Sequence, residues 1–245
     1  MVDPLQISEL ANYLGLNAPQ IKNHIAIVGG GGKTTILHAL GKQLRGRTIL
    51  TSTTKMGFDQ NRSLPVYFEP EDEIIQNISN GTPIMIWKEV QGEKAIGVDP
   101  SLCDHWFQNV DNVIVEADGS RRLPFKAPAA FEPVVPSSSN LMISTIGADA
   151  LGQVISSCCH RPERVADLAE CMPHDHLTPE RAAKVILHSE GQKKAKPTKS
   201  KFCVAITKVN DVNQRKAQVL IESLHSMNQD TDVVAIAFEA VQEIA

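Results

Sequence analysis

No apolar run in this chain is long enough to cross a bilayer. Its first residues, MVDPLQISELANYLGL, offer neither a basic start nor a continuous apolar stretch, so no secretory leader is expected. Positive charge is not in excess: 24 Lys and Arg face 28 Asp and Glu, the formal net charge is −4 and the pI is about 6.1. That balance excludes a global attraction for nucleic acid or anionic lipid, and neither is expected as a partner. An anionic ligand has to be held by local geometry instead. The five cysteines are odd in number, irregularly spaced and free of any C-x-x-C pair, which argues against a disulfide framework. They fit a reducing compartment, and a cytoplasmic protein is expected. The chain has no internal repeat and no low-complexity domain.

What the chain has is enough apolar material for one sizeable core, at 245 residues and 42% hydrophobic side chains. Unbroken apolar runs at 65–69, 83–87, 112–117, 141–147, 202–207 and 232–238 read as strands covered on both faces. Helical spacing predicts helices over 71–79, 100–109, 161–171, 178–188 and 211–227. Residues 80–98 read as a hairpin that leaves the parallel pattern. Leu5, Leu10, Leu14 and Leu16 suggest a short amphipathic helix, a packing appendage over 1–20. The remainder, 21–245, then forms one three-layer α/β domain with a mainly parallel sheet and a helical insertion at about 150–190. The lysine-rich stretch SEGQKKAKPTKSK reads as a solvated loop.

The most informative stretch is IAIVGGGGKTTIL, residues 25–37. Each glycine costs about 0.5–1 kcal/mol relative to alanine, and a bland turn does not need four in succession. A phosphate supplies the reason, because amides without neighbouring Cβ atoms can converge on an anion at a helix N-terminus. Gly29, Gly30, Gly31, Gly32, Lys33, Thr34 and Thr35 are therefore the candidate nucleotide-binding residues. Lys33 would reach the terminal phosphates and the Thr34 hydroxyl would join a magnesium shell. The standard spacing asks for a glycine where Ile27 stands, so the loop reads as a shortened G-x-x-G-K-T from Gly29. It resembles the loop of Mur ligases and folylpolyglutamate synthetases. GGGGKTT is also similar to loops of the dimeric ATPases and GTPases that serve metal insertion and partitioning. Some of these act across a subunit interface, which makes a homodimer one expectation.

Glu116 and Asp118 follow the strand NVIV, where a carboxylate would serve magnesium, and both are candidate metal and catalytic residues. Either could take that role, and both could instead be solvated loop charges. IVEADG is similar to the IE-x-x-G strand end of the nickel-insertion GTPases for hydrogenase and urease. Arg121, Arg122 and Lys126 could face phosphates or an anionic substrate, or stand exposed. Strand HIAIV, the glycine turn, a helix from Lys33 and strand RTILTST make a β-α-β unit with a parallel pair, and Lys55 ends its second strand, on the edge where open α/β sheets bind ligands. Lys208 belongs to TKVN, which resembles the N-K-x-D element of GTPases with Thr207 and Asn210 substituted, so the base is left open between ATP and GTP. Cys158, Cys159, His160, Cys171, His174 and His176 are donors that could hold zinc or nickel but match no regular metal spacing, and core cysteines with surface histidines are the expected reading.

Six blocks occur in order: VGGGGKTT, TSTTKM, VEADGSRRLPFKAPAAFEPVVP, GADALG, HRPE and TKVND. In this combination the chain resembles the YqeC family, described as selenium-dependent hydroxylase accessory proteins. The resemblance implies a phosphate-loop protein that assists a selenium-carrying molybdenum hydroxylase partner in its maturation, and the P-loop NTPase-like fold expected from the glycine loop would bind Mg2+ with ATP or GTP. NTP hydrolysis would accompany that role. Two other classes share the same cradle: an ATP-dependent ligase or kinase acting on a small anionic substrate, and a nucleotide-binding module without turnover.

Overall fold

The structure is a computed structural model that describes residues 2–238. Its strands are β1 (Leu5–Gln6), β2 (Asn23–Gly29), β3 (Thr48–Ser52), β4 (Met56–Gly57), β5 (Val66–Phe68), β6 (Ile84–Trp87) and β7 (Glu89–Gln91). They continue with β8 (Lys94–Ile96), β9 (Asn112–Glu116), β10 (Phe125–Lys126), β11 (Leu141–Gly147), β12 (Cys159–His160), β13 (Lys201–Thr207) and β14 (Asp232–Ala237). The helices are α1 (Leu10–Tyr13), α2 (Lys33–Gln43), α3 (Asp72–Gln76), α4 (Pro100–Asn109), α5 (Ile155–Cys158), α6 (Pro162–Ala169), α7 (Pro179–Leu187) and α8 (Gln214–Met227).

Nine strands form one sheet in the order β1-β14-β13-β11-β2-β9-β3-β6-β5, every neighbouring pair parallel. Alternation along each strand sends side chains to opposite faces. On β2, Ile25 and Ile27 join the core under α2 with Ile36, Leu37 and Leu40. Ala26 and Val28 face the other way, into the core built with α7 and α8. On β9, Val113 and Val115 pack with Trp106 and Cys103 of α4. Helices on both faces of a parallel sheet make the three-layer α/β architecture expected from the unbroken apolar runs.

β2, α2 and β3 form the anticipated crossover, but its two strands are not direct neighbours. β9 lies between them and pairs with both, placing Glu116 opposite Ile27 on one side and Ser52 on the other. This insertion carries the acidic strand end to the foot of the glycine loop.

Three other segments differ from the sequence reading. Residues 4–16 give only one turn of α-helix, because Leu5 and Gln6 pair with Ile236 and Ala237 and close the open edge of β14. The helix expected over 71–79 stops at Gln76, where the Asn77 amide caps the Glu73 carbonyl. The lysine-rich loop is not wholly solvated, since Gln192 and Ser200 are buried within it. The hairpin expected over 80–98 forms only over 89–96, as β7 and β8 joined by β4 in an antiparallel ribbon; β6 stays in the main sheet, parallel to both β3 and β5. Beyond β11, α5, α6 and α7 form the helical insertion, tied to the 119–136 segment by the short β10–β12 pair. Among the described residues no helix is long and apolar enough to cross a membrane.

Candidate functional site

The glycine run lies where β2 ends and α2 begins, pressed between the end of β11 and the 123–125 segment. Gly29, Gly31 and Gly32 have φ of 94°, 76° and 106°, which residues with a Cβ rarely adopt. A Cβ on Gly31 would lie 2.4 Å from the Gly147 nitrogen, and one on Gly30 would lie 2.7 Å from the Leu123 carbonyl oxygen. The Gly29 amide donates to Asp118 Oδ2 at 3.1 Å and the Gly30 amide to the Thr145 carbonyl at 3.0 Å. Within the described residues the next four amides, Gly31 to Thr34, donate no hydrogen bond. They are the free donors of a helix N-terminus, extended by one residue into the loop.

Lys33 is 3% exposed and folds back over its own loop. Its Nζ donates to the Gly29 carbonyl at 2.7 Å and lies 3.3 Å from Asp118 Oδ1 and 3.7 Å from Glu116 Oε1. The contact to Asp118 Oδ1 lacks hydrogen-bond geometry, so that buried oxygen has no hydrogen bond of its own. Thr34 Oγ1 donates to Glu116 Oε2 at 2.8 Å and lies 3.4 Å from Gln60 Oε1. Burial pushes the Glu116 carboxyl above its ordinary value; Lys33 and Thr34 oppose that shift, and the nearby Asp118 adds to it. A hydroxyl and a carboxylate 2.8 Å apart at a helix N-terminus are hard oxygen donors of the kind magnesium takes with phosphate oxygens and water. Among the described residues no group of three or more His, Cys, Asp or Glu could hold a metal ion. A magnesium ion here would therefore depend on the phosphates as well as on Thr34 and Glu116. Asp118 is engaged differently, with the loop amide and with lysines.

Behind the loop runs a buried chain of charges. Lys126 is fully buried and its Nζ reaches Glu132 Oε2 at 2.6 Å, the Gly119 carbonyl at 2.7 Å and Asp118 Oδ2 at 3.1 Å. Arg161 grips Glu132 with two bonds, 2.8 and 3.2 Å long. Burial alone would raise the Glu132 carboxyl, but Lys126 and Arg161 outweigh it and hold the group below the usual glutamate value. Gln192 closes the back of this chain, donating to the Lys126 carbonyl at 2.8 Å and accepting from Ser144. The sequence reading did not single out Glu132 or Gln192, and it named Thr207 only as a substituted position in the base-recognition element. Thr207 donates to the Gly31 carbonyl and fixes the loop from β13. Glu132 was legible only as part of a quoted block, and Gln192 carried no signal because its partners are 48 and 66 residues away.

Lys33, Thr34, Thr35 and Glu116 open onto a cleft of about 1140 Å³. Eight Lys and Arg side chains line it against two glutamates, in a chain of net charge −4. Lys55 is exposed on its wall, at the end of β3. Lys208 also lines it but pairs with Asp149 at 2.8 Å. Asn210 Oδ1 accepts from the Val212 and Asn213 amides just before α8. Arg121 and Arg122 are exposed at the rim, Arg122 lying 3.6 Å from Asp59. Arg161 is the N-cap residue of α6, with Pro162 in the first turn. Of the Cys and His cluster, Cys159 and His160 line the cleft; Cys158 and Cys159 are buried with sulfurs 3.5 Å apart. A second cavity of about 430 Å³, beside β5 and α3, is lined by none of the candidate residues.

All six sequence blocks thus meet at one end of the sheet, the carboxyl ends of β2, β3, β9, β11 and β13, where open α/β sheets bind ligands. A model of the YqeC protein family matches residues 25–163. The chain is 31% identical over 252 residues to the Escherichia coli (strain K12) protein described as "Uncharacterized protein YqeC", an alignment covering 99% of this chain and 95% of that one. No solved structure matches the chain.

Proposed function

The chain belongs to the YqeC protein family, and on that footing we propose that it binds magnesium-complexed ATP or GTP at the glycine loop. The observation that carries this reading is the row of amides from Gly31 to Thr34, without partners within the described residues, at the head of a helix beside Lys33. Aligned amides, a helix dipole and an ammonium group together suit a polyphosphate. Lys33 would exchange its carboxylate contacts for the terminal phosphates. Thr34 and Glu116 would hold the magnesium ion, and Asp118 would keep the loop and Lys33 in position. The bound nucleotide would serve, through hydrolysis, the maturation of a selenium-dependent molybdenum hydroxylase. That part of the reading is supported by the block-by-block resemblance stated above. A second reading, transfer or ligation onto a small anionic substrate, is favoured by the surplus of cations in the cleft.

Calorimetric titration of Mg-ATP and Mg-GTP against the wild type and Lys33→Ala tests the binding step. The variant should lose at least about tenfold in affinity, the worth of one charge-assisted hydrogen bond. Equal affinities in a folded variant would refute the nucleotide reading. Turnover measured with and without a purified molybdenum hydroxylase then separates the accessory role from the transferase role.

A further inference from the structure

Lys33 and Arg161 stand at the two ends of the buried charge chain, and both line the cleft. Asp118 and Lys126, between them, are buried at 2% and 0% exposure. The cleft therefore has two separately fixed cationic points, one on α2 and one at the start of α6. The glycine loop accounts for the first. The second lies outside the glycine loop and the Thr34–Glu116 pair.

Arg161 is held in place rather than spent. Two of its five N–H donors go to Glu132, which Lys126 fixes from behind, and the others remain for a ligand. Next to it are Arg121 and His160. Arg121 makes no ion pair within the described residues, and it and Arg122 have φ of 52° and 63°, a conformation sparsely populated by residues with a Cβ. The imidazole of His160 reports the local field. Burial, then the charges of Arg161, Lys126 and Arg121, push it down to about 4, against the pull of Glu132. Positive potential thus prevails at this wall even with the glutamate present.

We propose that the cleft contains a second anion subsite, formed by Arg161, Arg121 and His160, that takes the phosphate or carboxylate group of a small substrate beside the nucleotide. The proposal rests on the nucleotide reading for its neighbour and deepens it by giving the substrate class. A planar guanidinium fixed by a carboxylate is preorganised for a bidentate oxyanion, and a neutral imidazole adds one more donor.

The test is calorimetric titration of inorganic phosphate, and separately of citrate, into protein saturated with magnesium and a non-hydrolysable ATP analogue. His160 is followed in parallel by NMR pH titration. One further anion per chain should bind, with the His160 pKa moving up; which of the two probes binds tells phosphate from carboxylate. Arg121→Ala, whose side chain is exposed, and Arg161→Gln should each weaken that anion about tenfold, the worth of a lost charge-assisted bond. Absence of binding by either probe, with His160 unmoved, overturns the subsite. So does an equal loss of nucleotide affinity in Arg121→Ala, which would assign the cluster to the nucleotide itself. If the analogue fails to bind at all, the nucleotide reading fails. The same probes added to Lys33→Ala still read the second subsite on its own.

Discussion

At Gly31 an alanine would have to keep φ near 76° with its Cβ 2.4 Å from a backbone nitrogen that cannot withdraw. Gly81 has nearly the same φ, 78°, and open space where a Cβ would go. The two positions therefore separate backbone strain from crowding. Gly81→Ala should cost about 1 kcal/mol and Gly31→Ala about 2–4 kcal/mol, measured by urea denaturation. Equal costs would mean that the loop is not pressed against β11. The same crowding explains why four glycines stand together: each meets a different neighbour, Thr145, Leu123, Gly147 or Phe238. The run, the lysine and the threonine were legible in the sequence because they are contiguous. Glu132, whose partners lie on β10 and at the cap of α6, was not.

At the scale of elements, the placement of β9 between β2 and β3 decides the site. Sequence periodicity found every large strand, yet it could not order them, since strand order is fixed by long-range packing that no local pattern records. The same limit hid β1, a two-residue pairing that exists only because β14 offers an edge. It hid as well the role of the 119–136 segment, which the β10–β12 pair clamps to the insertion with Lys126 at its centre. Removing that ammonium leaves Asp118 and Glu132 buried with one cation fewer. Lys126→Met is expected to destabilise the fold by about 3–5 kcal/mol. A loss below about 1 kcal/mol would show that the carboxylates are satisfied without it.

For the molecule as a whole, the formal charge of −4 conceals a cleft lined mostly by cations, which composition alone did not reveal. Stability should also carry a signature of buried imidazole. Burial pushes the fully buried His24 down to about 4 from 6.5, with Asp104, 3.9 Å away, pulling the other way. The unfolded chain takes up that proton below pH 6.5 and the folded one only near 4. Stability is thus complete above 6.5 and falls as the pH drops toward 4, by on the order of 3 kcal/mol. The urea midpoint should follow that slope between pH 7 and 4.5, and His24→Leu should flatten it; an unchanged slope would remove His24 as its cause. The central claim is that backbone amides at the mouth of the first crossover wrap a polyphosphate. Amide-resolved NMR of the protein titrated with Mg-ATP and Mg-GTP tests it most directly. The account predicts that the amides of Gly31, Gly32, Lys33 and Thr34 shift most and saturate with the nucleotide. Nucleotide binding that leaves these four resonances in place would contradict it.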